Sequence, residues 1–328
     1  ARQIFIDKDR GAQIFVLASG GTYLALGNGT PTGFAPLKAL ENTAEDRAWL
    51  SLFVRQLVRT DSRPISVQEE RMIDEGIAAV MRLPRDDRSL DALRSMLGMS
   101  DAGGIGARLE KWTSRGSMGW VFDNPADEMT LDTRFIGFDM TNFLDNGEIR
   151  APVMLYLFHR IDKLLTGERT IIAVDEFWKA LGDEAFRSFA QDGLKTYRKR
   201  NALMVFATQS PADALKSDIA HSILEQVATQ VMLPNPKGAR RDYVEGFSLT
   251  DAEFQLIREE LSPESRKFLV KQGHDSVVVE LDLTGLDDEL AVLSGRAETT
   301  SIAVETAAEF GPDPATWLPI FHQRRRPS

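Results

Sequence analysis

Two stretches of this chain are unbroken apolar runs that end in polar pairs. Ile171-Ile172-Ala173-Val174 runs into Asp175-Glu176, and Leu203-Met204-Val205-Phe206-Ala207 runs into Thr208-Gln209. A strand without apolar/polar alternation must be covered on both faces, and crossover helices are the usual cover. With their flanks these runs predict strands at 170–175 and 203–208, and similar patterns predict strands at 3–7, 134–140, 227–233, 267–270 and 276–283. Helical patterns fall between them at 153–165, 183–199 and 213–224. Strand and helix alternate, which predicts an α/β fold on a mainly parallel sheet.

One region breaks the alternation. Residues 42–97 are helical and poor in strand signals: Trp49, Leu52, Phe53 and Leu57 recur at helical spacing, and Ser66 with Glu69 forms a capping box ahead of Met72, Ile73, Ile77 and Val80. A glycine patch, Gly103-Gly104-Ile105-Gly106, leads to a turn-rich segment at Asp123-Asn124-Pro125 before the sheet resumes. The expected organisation is a first part of the core at 1–41, a mainly helical insertion at 42–130, the main core at 131–296 and a tail at 297–328. At 328 residues the chain is long enough for one full core and a second small one.

Composition narrows the chemistry. A net charge of −10 argues against a general nucleic-acid coat, although a local basic lining stays open. There is no cysteine, and the four histidines, His159, His221, His274 and His322, are scattered, so no metal-ligand spacing occurs. No apolar run is long enough to span a bilayer, and the start lacks the apolar region of a secretory signal. Ile4, Phe5 and Ile6 read as strand residues from the outset, so the chain is expected to begin inside a domain.

The segment RTIIAVDEFWKAL at 169–181 carries the strongest chemical signal. In P-loop ATPases a strand tip of this kind uses its first acid, here Asp175, to fix a magnesium ion through water, and the next, Glu176, to polarise the attacking water. A pair of solvated acids at the start of a helix would look the same at this level. At the second tip, Thr208 and Gln209 could meet the γ-phosphate or the lytic water. Upstream lies KTYRKRN at 195–201, where Arg198 first and Arg200 second are candidates to reach a neighbouring subunit's γ-phosphate. The charged turn at 7–11 and the loop at 293–296, with Arg296, are weaker candidates for the rim of the site. The loop G-x-x-x-x-G-K-[ST], which cradles phosphates, has no counterpart, because no Gly-Lys pair occurs anywhere in the chain.

Taken in order, IFIDKDRG, FDMTNFLDNGEIRAPVMLYLFHRI, IIAVDEFWKAL, KTYRKRN, FATQSP, LPNP, ESRKFLVKQG and LAVLSGR resemble the C-terminal motor of the type IV secretion ATPases, the VirB-four (TrbE/CagE) family. The resemblance implies a RecA-like P-loop NTPase core related to the HerA/FtsK translocases, with an all-α insertion. It implies ATP and magnesium as cofactors, with Asp175 and Glu176 as Walker B, Gln209 as sensor, and an arginine finger at 197–201. It places the phosphate loop one helix before the DKDRG strand, ahead of Ala1, so that this chain alone should hydrolyse little. It also implies self-association, to a hexamer or a dimer-based hexamer, contact with other secretion components, and a peripheral place at the cytoplasmic face of the inner membrane. A hexameric DNA pump, with DNA contact, and a non-catalytic docking module are the competing readings.

Overall fold

The structure is a computed structural model that describes residues 1–326 apart from 61, 99–100, 179–192, 194–195, 210 and 217–219. Among them run eight strands: β1 Arg2–Asp7, β2 Thr22–Ala25, β3 Phe135–Asp139, β4 Thr170–Val174, β5 Ala202–Phe206, β6 Thr229–Met232, β7 Lys267–Gln272 and β8 Asp275–Glu280. Five form one sheet in the order β2-β3-β1-β4-β5. β4 pairs in parallel with β1 on one side and β5 on the other, so that Ile6, Val174 and Phe206 lie in one row. Ile4, Ile6, Ile172 and Val174 are buried, as their unbroken apolar runs require.

Two departures from the sequence reading have clear causes. β2 carries no periodic signal and is half-exposed, but its place is secured by close approaches at two glycines. A Cβ on Gly21 would fall 2.3 Å from the Phe135 carbonyl oxygen, and one on Gly137 would fall 2.3 Å from the Tyr23 ring. The last three strands form a separate antiparallel sheet, β6-β7-β8, in which Gly273 turns β7 into β8 at a φ of 61°. β5 ends at Phe206, two residues before the predicted end, so Thr208 and Gln209 lie in the following loop. The predicted helix at 183–199 falls largely outside the described residues; its end, Tyr197–Arg200, is a 3-10 turn. The pattern at 213–224 becomes two short helices, Pro211–Ala214 and Ala220–Gln226, with 217–219 outside the described residues.

The chain divides into two compact units: Ala1–Tyr23, Arg134–Gly137 and Leu165–Ser328 in the first, Leu24–Thr133 and Phe138–Leu164 in the second. The second is helical. Its helix Ala44–Val58 starts at Thr43, whose hydroxyl accepts from the Asp46 N–H, and buries Leu50, Phe53, Val54 and Leu57. Leu52, read from the sequence as part of that stripe, is 54% exposed, because at about 100° per residue it turns off the buried face. The Ser66–Glu69 capping box is present at the start of helix Val67–Val80. Phe53 and Phe122 meet edge to face at 4.9 Å, and Phe34 meets Tyr156 in the same manner at 5.4 Å. In the first unit, residues after Arg296 form helices Ala297–Phe310 and Pro314–Arg324. Ala303, Trp317 and Phe321 of this pair pack around Ile14 of helix Gln13–Ala18, directly after the β1 turn.

Candidate active site

Parallel pairing delivers the ends of β1, β4 and β5 to one edge of the sheet. The Asp175 N–H donates to the Ile6 carbonyl at 2.9 Å, and the Ala207 N–H donates to the Val174 carbonyl at 3.0 Å. Asp175-Glu176 therefore emerges between the turn at 7–11 and the loop that carries Thr208 and Gln209. In open parallel sheets this carboxyl edge is where ligands bind.

Asp175 is half-buried. Burial raises its carboxyl above the ordinary aspartate range, the neighbouring Glu176 and Asp9 charges add to this, and the Glu176 N–H and the Lys8 charge oppose it. A carboxylate so placed gains from a cation. Among the described residues no group of three or more acids or histidines that could hold a metal ion occurs, so Asp175 would meet a cation as a single carboxylate.

Glu176 is 5% exposed and stands at a φ of 47°, the left-handed region that non-glycine residues rarely occupy. Its N–H donates to Asp175 Oδ1 at 3.0 Å, and its carboxylate accepts the indole N–H of Trp178. Phe177 anchors the turn from beneath: its N–H donates to the Ala207 carbonyl, and its ring packs 5.1 Å from that of Phe206. Trp178 carried no signal in the sequence beyond its place after the acid pair.

The turn at 7–11 is built with equal care. Asp7 is buried, and its Oδ2 accepts from the Ala12 N–H at 2.9 Å and from the Tyr23 hydroxyl at 2.7 Å. Asp9 and Arg10 are both left-handed, with φ near 59° and 60°. The loop at 293–296 lies against this turn, where a Cβ on Gly295 would fall 2.7 Å from the Gly11 carbonyl oxygen and 2.8 Å from that of Arg10. Arg296, exposed beside that contact, is thereby brought to the same sheet edge as Asp175.

Thr208 and Gln209 lie at this edge as well, with Gln209 exposed. Arg198 and Arg200 do not. The turn Tyr197–Arg200 precedes β5, and the Thr170 N–H donates to the Asn201 carbonyl, which places both arginines at the opposite edge. Five strand residues at about 3.3 Å each separate the two edges by roughly 16 Å. Arg198 is exposed there, whereas Arg200 is half-buried and its Nε donates to the Leu165 carbonyl at 3.1 Å.

Comparison with known proteins agrees with this architecture. The TraG P-loop domain model matches residues 105–262. The chain is 52% identical over 322 residues to type IV secretion system protein virB4 of Bartonella quintana (strain Toulouse), a match covering 98% of this chain and 41% of that protein. It is 43% identical over 335 residues to virB4 of Brucella abortus (strain 2308), covering 98% of this chain and 40% of the relative. The structure of VirB4 of Thermoanaerobacter pseudethanolicus superposes with a TM-score of 0.68 over 87% of this chain and 83% of that one, at 17% identity, so the two share a fold. This chain spans about two fifths of the length of the relatives it matches, and along 98% of its own length it belongs to the VirB4 family of type IV secretion system proteins.

Proposed function

We propose that this chain is the hydrolytic part of an ATPase motor that energises assembly of a type IV secretion system or transport through it. The observation that carries the reading is the in-register emergence of Asp175-Glu176 beside Thr208-Gln209 at the carboxyl edge of a parallel sheet. ATP and magnesium are the cofactors. Asp175 would hold the magnesium ion through a water, and the ion would supply charge neutralisation to the phosphates. Glu176 would orient and deprotonate the attacking water, and Gln209 with Thr208 would read the γ-phosphate. Arg296 approaches the nucleotide from the rim.

The phosphate cradle is the missing half of this site, since the 328 residues hold no Gly-Lys pair. Among the described residues β5 is the end strand of its sheet, and its Leu203 and Val205 are 57% and 45% exposed. An apolar strand edge beside the acid tip suits addition of a further strand. Arg198, at the far edge, serves a neighbouring subunit's site, which requires self-association into a ring such as a hexamer. No helix among the described residues is long and apolar enough to cross a membrane. The proposed place is peripheral, on the cytoplasmic face of the inner membrane, in contact with other secretion components.

The test is phosphate release by the full-length protein and its Glu176→Gln variant. Loss of a general base lowers turnover by about 10²- to 10⁴-fold while ATP binding persists. Equal turnover in the two proteins overturns the role of Glu176, and absence of hydrolysis in the parent overturns the ATPase reading.

A further inference from the structure

The acid assigned to activate water is not presented to water. Glu176 is 5% exposed, and its carboxylate is engaged by the Trp178 indole N–H. A buried carboxylate needs a partner, and an indole N–H only donates, so the pairing gives the acid a partner at Oε2 and takes up that oxygen, one of the two that could polarise a nucleophile. The backbone reports the same tension: Glu176 is held left-handed by its N–H bond to Asp175 Oδ1. Backbone strain of this kind clusters at active sites and switch regions.

The surroundings confine any movement to this turn. Phe177 is buried against Phe206, and the Asp175 and Phe177 N–H groups are both tied to neighbouring strands. Trp178 is half-exposed, so one end of the pair lies partly at the surface.

We propose that Trp178 is a positioning residue that clamps Glu176 in a resting pose, and that its release when nucleotide engages the site permits hydrolysis. The clamp rests on the ATPase reading above and adds its control. It gives the motor a low idle rate: hydrolysis waits until Glu176 exchanges the indole for a water.

The test uses full-length protein. Trp178→Phe keeps an aromatic ring while deleting the N–H donor and part of the ring. Its expected effect is a turnover raised roughly 3- to 10-fold with an unchanged KM for ATP, abolished again when Glu176→Gln is added, a range corresponding to modest removal of a ground-state contact. Lower or unchanged turnover in Trp178→Phe overturns the clamp while leaving the ATPase reading intact. A parent protein that hydrolyses nothing overturns both. A second measurement stands apart from turnover and from the folding of that variant. The ultraviolet resonance Raman band that reports indole N–H hydrogen bonding is recorded for the parent, for Glu176→Ala, and for the parent with a non-hydrolysable ATP analogue and magnesium. The signal of one hydrogen-bonded indole should be lost in the second and third samples relative to the first. Unchanged bands in either overturn the proposal.

Discussion

The Tyr23 hydroxyl donates to the buried Asp7 carboxylate at 2.7 Å, tying β2 to the charged turn that flanks the acid pair. The same carboxylate oxygen accepts the Ala12 N–H, so one side chain closes the β1 turn and starts the next helix.

Removing Asp7 should therefore cost more than removing its partner. Asp7→Ala removes the acceptor of both the Tyr23 hydroxyl and the Ala12 N–H and is expected to destabilise the fold by about 1–3 kcal/mol, whereas Tyr23→Phe should cost about 1 kcal/mol. Denaturant unfolding of both variants and of the double variant checks this. The double variant should cost less than the two single losses added together, since they remove one shared bond.

The two arginines before β5 should separate cleanly. Arg198 is exposed at the edge remote from Asp175, while Arg200 serves the Leu165 carbonyl. In the full-length protein, Arg198→Ala is expected to lower turnover by about 10³-fold or more with stability unchanged, the usual loss for an arginine acting on a neighbour's transition state. Arg200→Ala should instead lower the unfolding midpoint. Mixing Arg198→Ala with Glu176→Gln subunits tests action in trans, since some activity returns only if each repairs the other's site.

His159, in the helical unit, should make stability depend on mild acid. It stacks on Trp49 at 4.1 Å, and burial first, then the nearby Lys163 charge, lowers its pKa from 6.5 to about 4, against the pull of Asp46. The folded state thus holds the ring neutral while the unfolded chain protonates it near 6.5. Its stabilisation is present above about pH 6.5 and is lost progressively as the pH falls towards 4. His159→Phe keeps the stack and removes the titration, so the unfolding midpoint should fall less between pH 7.5 and 5 than in the parent. Equal slopes would refute the assignment.

Much of this was legible in the chain. The runs at 171–174 and 203–207 announced parallel strands, and the pairs that end them marked the sheet edge; cover on both faces was expected of each, but β5 lies at the end of the sheet order and its Leu203 and Val205 are exposed. β2 was not legible, since what holds it is close approach at Gly21 and Gly137, a property of two backbones and not of a pattern. The three C-terminal strands read as strands, but only their pairing separates them into an antiparallel sheet.

By itself, the sequence carried the family resemblance in its ordered motifs, and local periodicity and residue chemistry marked the acid pair and every strand but β2. Tertiary structure decided which candidates share a site. Register with β1 and β5 placed Asp175 beside the turn at 7–11, packing at Gly295 brought Arg296 to the same edge, and the length of β5 held Arg198 away. The bond between Trp178 and Glu176 belongs to that second class: two residues apart in sequence, they meet only because Glu176 is forced left-handed at the strand tip, a conformation that no side-chain preference at that position would announce.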